Sequence, residues 1–149
     1  YADQAWTTGT LARTCWHDAF GFRTVPFAFD KSGNLYDHET GNDDDGFAMT
    51  AYIESAPLEI SSSGEKLFMV DKVIPDLTVS GDLNLTIKTR KYPNSSDITK
   101  GPFAINSSST KVSLRAKGRQ MAFKLESSAV GDSWLLGDLR INTREDGMR

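Results

Sequence analysis

From Leu83 to Arg90 the chain alternates at every step, with Leu83, Leu85, Ile87 and Thr89 on one side and Asn84, Thr86, Lys88 and Arg90 on the other. A repeat of two belongs to an extended strand, whose side chains leave alternately from its two faces, whereas a helix needs a repeat near 3.6. The same pattern returns at Val112 and Leu114. It recurs at Met121, Phe123 and Leu125, set against Ala122, Lys124 and Glu126, and at Leu139, Ile141 and Thr143, set against Arg140, Asn142 and Arg144. No segment sustains a helical period. Strands with one apolar face must lay sheet on sheet to bury it, so the fold class expected is all-β.

Turn residues divide the pattern into strands. The expected strands run from Met49 to Ser55, Leu58 to Ile60, Lys66 to Ile74, Gly81 to Arg90, Gly101 to Ile105 and Lys111 to Ala116. Ser61-Ser62-Ser63-Gly64 turns the chain, Pro75 ends the third strand, and Tyr92-Pro93-Asn94 and Asn106–Ser109 are loops. The segment Gly118–Arg149 supplies a closing pair of alternating segments split by a Gly-Asp turn ahead of Leu139. Seven or eight short strands with turns every 8–12 residues or so predict an antiparallel β-sandwich over 49–149.

Residues 1–48 read differently, being rich in aromatics and turns: Trp6, Trp16, Phe20, Phe22, Phe27, Phe29, Tyr36 and Phe47 all lie there. Leu11 to Ala19 has some helix propensity, but Thr14, Cys15 and Trp16 favour a strand, placed at Arg13 to Asp18. Val25 to Phe29, the turn Asp30-Lys31-Ser32-Gly33-Asn34 and Leu35 to Glu39 predict a hairpin. Short strands with tight turns in about forty residues match the size of one propeller blade. A lone blade cannot bury both faces, and the chain starts at Tyr1 without an initiator Met, so upstream sequence is expected. The acidic loop Gly41-Asn42-Asp43-Asp44-Asp45-Gly46 is the boundary candidate.

Composition narrows the function. The 149 residues suit one domain, or one domain plus part of another, and the net charge of −3 gives no whole-chain attraction to nucleic acid or anionic membrane. No apolar run approaches the roughly 20 residues of a membrane span. Cys15 is the sole cysteine, which excludes an internal disulfide framework and suits a reducing place of assembly. Three Asn-x-Ser/Thr triplets, at Asn84, Asn94 and Asn106, are expected by chance in a chain so rich in Ser, Thr and Asn.

Reactive candidates fare poorly against ordinary structural roles. Asp43-Asp44-Asp45 with Glu39 offers hard oxygens, yet calcium needs six to eight or so converging on one point, and such a run is ordinarily a solvated turn. Asp30-x-Ser32-x-Asn34 starts like a calcium loop, but Gly41 stands at the twelfth position. His38-Glu39 lacks the second histidine of a zinc-protease motif, since Asn42 stands there. Cys15 and His17 share a strand face, the spacing of a nucleophile and base, without an oxyanion element nearby. No catalytic, metal or cofactor residue is assigned, and the chain is read as non-enzymatic. What remains is basic: Lys88, Arg90 and Lys91; Arg115, Lys117 and Arg119; Arg140, Arg144 and Arg149. Lys88, Arg90, Arg115, Arg119, Arg140, Arg144 and Arg149 are the interface candidates, facing a protein partner rather than DNA because no aromatics interleave them. The plain alternative is a charged sheet face whose Lys and Arg discourage edge pairing.

One resemblance spans most of the chain in a single order. Trp6-x-x-Gly9-x-Leu11-x-Arg13-Thr14-x-Trp16-x-Asp18 and Gly33-Asn34-Leu35-Tyr36-Asp37-His38-Glu39-x-Gly41 are similar to the last propeller blade of phage tail hub (nozzle) proteins. These comprise the tail tubular protein B and packaged-DNA stabilisation protein groups of short-tailed phages. Ala51-Tyr52-Ile53-Glu54-Ser55, Asp71-Lys72-Val73-Ile74-Pro75-Asp76, Lys88-Thr89-Arg90-x-Tyr92-Pro93 and Gly101-Pro102-Phe103 continue it. The end is its most specific part: Gly118-Arg119-Gln120-Met121, Glu126-Ser127, Trp134-x-x-Gly137 and Asp146-Gly147-x-Arg149, with Met148 where a basic or small residue is expected.

The resemblance implies a structural protein of the virion tail, assembled in the host cytoplasm. Such proteins form a homohexameric ring below the head-to-tail adaptor, extend the DNA ejection channel and dock tail fibres, spikes or a needle. Its partners would be further copies of itself, the adaptor, those tail proteins and, in transit, genomic DNA; no cofactor is implied. A ring needs head-to-tail interfaces with two unlike surfaces, and basic strand faces with acidic loops could supply them. Two rivals come from other classes: a carbohydrate-binding or adhesion β-sandwich presenting exposed aromatics, and an enzyme built on Cys15 and His17.

Overall fold

The computed structural model describes residues 12–59 and 65–147. Among them are only strands, turns and loops, and the chain divides into two compact units, Tyr1–Gly41 and Asn42–Arg149.

In the first unit β1 (Cys15–His17), β2 (Phe27–Phe29) and β3 (Leu35–Asp37) form an antiparallel sheet in the order β1-β2-β3. These strands are shorter than the sequence suggests, with only three residues each. The β2–β3 turn is built as the residues dictate. The Asp30 carboxylate accepts the backbone N–H groups of Ser32 (2.8 Å) and Asn34 (2.9 Å) and the Asn34 side-chain amide (2.9 Å), while Gly33 takes φ 85°. An aspartate that bonds its own turn and a glycine at positive φ are what such a turn requires. Ala28, central in β2, is fully buried, while Trp16, Phe20, Phe22 and Phe29 stay exposed.

The second unit is an antiparallel β-sandwich. One sheet has the order β4-β10-β7-β8, with β5 also paired to β10; the other has the order β11-β6-β9. The strands are β4 (Ala51–Glu54), β5 (Leu58–Glu59), β6 (Phe68–Ser80), β7 (Leu83–Arg90), β8 (Ile98–Ile105), β9 (Val112–Gly118), β10 (Gln120–Ser127) and β11 (Ser133–Glu145). Inward rows from both sheets make one core: Val70, Val73 and Val79 of β6, Leu83, Leu85 and Ile87 of β7, Leu114 and Ala116 of β9, Met121 and Leu125 of β10. The alternation in β7 is followed to the residue, since Leu83, Leu85, Ile87 and Thr89 are all buried. Ile60 and the turn Ser61–Gly64 lie outside the described residues.

Two expectations are corrected here. Pro75 does not end a strand; β6 runs through it to Ser80. Pairing of β6 with β9 stops at Val73↔Val112, so beyond that point β6 has only β11 beside it, with Pro75 opposite Leu139. A residue without an N–H is tolerated where the ladder is one-sided. The closing segments, in turn, do not form a pair. β10 is an inner strand between β7 and β4/β5, and β11 is the edge of the opposite sheet. That is why Ala122, on the expected wet side of β10, is buried. The two layers are tied by the Trp134 indole N–H, which donates to the buried Ser127 hydroxyl at 3.0 Å.

Candidate functional site

Strand order decides what the basic residues face. On the outer surface of the larger sheet, β7 presents Lys88 and Arg90, and both meet carboxylates. Lys88 pairs with Glu54 of β4, and the Arg90 Nε lies 2.7 Å from the Asp97 carboxylate. Beside them Lys124 pairs with Glu126 at 2.7 Å. This face is a charge-balanced ladder. The bond to Arg90 holds the Asp97 carboxyl below the usual carboxylate range, and the bond to Glu126 raises the Lys124 ammonium above its ordinary value. Asp146 is lowered in the same way by Lys117, and Asp30 by Asn34.

These lowered carboxyls set an acid limit. A carboxyl depressed in the folded state adds stability that is fully present above its unfolded value, near 3.9, and is lost as pH falls through the folded value. Melting temperature should therefore hold from pH 7 to about pH 5 and fall progressively below pH 4. Asp97→Asn should flatten part of that fall in a scanning-calorimetry pH series; an unchanged slope would show that the pair contributes nothing.

The other interface candidates lie elsewhere. Arg115 of β9 and Arg140 and Arg144 of β11 are exposed on the smaller sheet, where an Arg144 N–H lies 3.3 Å from the Met69 sulfur. Arg119 sits at the corner between β9 and β10, its backbone N–H bonded to the Arg90 carbonyl (2.8 Å) and its guanidinium 5.2 Å from the Tyr92 ring centre. Arg149 lies outside the described residues. The six described candidates are thus spread over both sheets and the corner between β9 and β10 rather than gathered into one surface.

A different grouping emerges at the open side of the sandwich, between the edge strands β8 and β9. A cleft of about 420 Å³ is lined by Met69, Lys91, Ile98, Lys100, Arg115, Ala116 and Lys117. The register places Ile98 opposite Thr89 and Lys100 opposite Ile87, so both belong to the inward row of β8 but emerge at its open edge. Lys117 is held by Asp146 at 2.6 Å. Among the described residues, no carboxylate pairs with Lys91, Lys100 or Arg115. Lys100 was not singled out from sequence. The available signal was Ile98-Thr99-Lys100, an alternation that carries a lysine into an inward position.

The reactive candidates Asp30, His17 and His38 make local contacts. Both Asp30 carboxylate oxygens accept hydrogen bonds from the turn. Among the described residues, no three His, Cys, Asp or Glu side chains converge on a metal position. Cys15 is exposed, and His17 stacks on Phe27 (ring centres 5.2 Å apart) with its Nδ1 2.9 Å from the Asp18 carbonyl oxygen. Trp16 packs one face on His38 (4.2 Å) while staying exposed, and the Arg13 guanidinium covers the Tyr36 ring at 3.7 Å. In the acidic loop the Asp43 carboxylate accepts the Gly46 N–H (2.9 Å) and Asp44 bridges to Phe47, giving a shaped turn whose residues are all exposed.

No helix among the described residues is long and apolar enough to cross a membrane. No protein-family model matches the chain, and no curated protein matches it.

Proposed function

We propose that this chain is a structural subunit of the virion of a short-tailed phage, part of the ring-shaped tail hub that extends the DNA ejection channel and docks fibres or spikes. The observation that carries this reading is the order of its modules. A short turn-bounded antiparallel sheet, Cys15–Asp37, precedes a β-sandwich, along the segments whose sequence resembles hub proteins. The first sheet leaves Phe20 and Phe22 largely exposed, at 74% and 94%, as expected of a blade that needs neighbouring sheets. The cations Lys91, Lys100 and Arg115 at one cleft and the exposed acidic run Asp43-Asp44-Asp45 suit the unlike, head-to-tail contacts of a ring.

Electron microscopy tests the reading. The purified protein should form closed rings with a central channel, and antibody raised against it should label the tail tip of short-tailed virions. Labelling of heads alone, or of no virion component, would refute it.

A further inference from the structure

We infer that the cleft between β8 and β9 receives the acidic loop 42–47 of a second copy of this chain, an inference that rests on the ring reading and names its contact. The cleft combines an apolar floor, Met69, Ile98 and Ala116, with the cations Lys91, Lys100 and Arg115, which have no carboxylate partner among the described residues. A single inward-pointing lysine is enough to blunt a sheet edge against non-specific pairing. Three cations around one apolar-floored cleft select for more than that: an occupant that is itself both acidic and apolar.

The chain carries such an occupant. Asp43, Asp44 and Asp45 are followed by Phe47 and Met49, which are 73% and 52% exposed. Phe47 is held next to the acids by its bridge to Asp44, with N–H···O distances of 2.9 and 3.0 Å in the two directions. The loop is already shaped, so little ordering entropy opposes its docking.

Sheet order puts the two surfaces where a head-to-tail contact needs them. The loop leads into β4, at one edge of the larger sheet, and the cleft lies along β8, at the other. They also fall at opposite strand ends: Ala51 stands opposite Ser127 of β10, whereas Ile98 aligns through Thr89 with Met121. Surfaces at diagonal corners cannot meet within one copy of the sandwich, so a contact made once between two copies leaves one loop and one cleft free. Repeated from copy to copy, the contact generates a ring or a filament.

Reciprocal charge reversal tests it. The groove variant is Lys100→Glu with Arg115→Glu. The loop variant is Asp44→Lys with Asp45→Asn, the asparagine retaining the φ of 52° at that position. All four side chains are exposed, so circular dichroism and melting should match the wild type. In sedimentation velocity the wild type should self-associate, and each variant alone should do so about tenfold or more weakly. Mixing the two variants should restore assembly, because each then offers what the other has lost. If both variants form rings as the wild type does, the contact is wrong and the ring reading stands. If the wild type stays monomeric at every concentration, both fail. If a monomer instead takes up a single-stranded oligonucleotide and Lys100→Glu/Arg115→Glu abolishes this, the cleft belongs to nucleic acid and the contact is overturned.

Discussion

Leu85→Ala should lower the stability of the sandwich unit by about 2–5 kcal/mol, the range measured for emptying a packed leucine site. Leu85 is fully buried in β7, opposite Leu125 on one neighbour and Phe103 on the other, so its side chain is enclosed within the sheet as well as by the facing layer. Enclosure on that scale leaves little room for the surroundings to collapse, which places the cost toward the upper part of the range. Against a whole-domain stability of about 5–15 kcal/mol, the loss is large enough to move a urea midpoint well outside error. Thr86→Ala, one residue along and on the outer face, should change stability by no more than about 0.5 kcal/mol. Equal shifts for the two variants would show that the alternation does not define the buried face.

The contrast between neighbouring residues also shows what was legible in the sequence. Alternation reports which face of a strand is buried, and in β7 it does so for Leu83, Leu85, Ile87 and Thr89 without exception. Turn chemistry was equally readable, because Asp30, Gly33 and Asn34 close the β2–β3 turn through their own local bonds. Strand order was not readable, since period two says nothing about which strand lies alongside. Lys88 and Arg90 read as a basic cluster, yet Glu54 reaches Lys88 from β4 across β10, and Asp97 reaches Arg90 from the loop before β8. Lys100 failed to register for the converse reason: its neighbours in the cleft, Arg115 and Lys117, come from a strand in the other sheet. Pro75 misled because a strand breaker is read from its own chemistry, while its tolerance depends on whether β9 still runs beside it.

Gly101→Val should release β8 from the edge of the larger sheet and abolish with it the self-association proposed for the cleft. Gly101 has φ +107°, a conformation closed to a β-branched residue. A Cβ there would also lie 2.7 Å from the Leu85 carbonyl oxygen and 3.1 Å from the Phe103 N, so the neighbouring backbone would have to move. Strain of this kind costs about 1–3 kcal/mol before any clash is counted. The residue sits where the β7–β8 register shifts between Leu85 and Ile87, so the strained point is the joint that sets the position of the outer half of the strand. If that joint slips by one residue, Ile98 and Lys100 exchange the cleft for the outer face. Hydrogen exchange should then show fast amides across Ile98–Lys100 while β6 and β11 keep their protection, because an edge strand can open without the opposite sheet. Gly101→Ala meets the same φ and the same carbonyl with a smaller side chain, and should give a milder version of both effects. Protection of β8 unchanged in the valine variant would mean that the strand tolerates the substitution in its native register, and the contact proposed for the cleft would then be expected to persist.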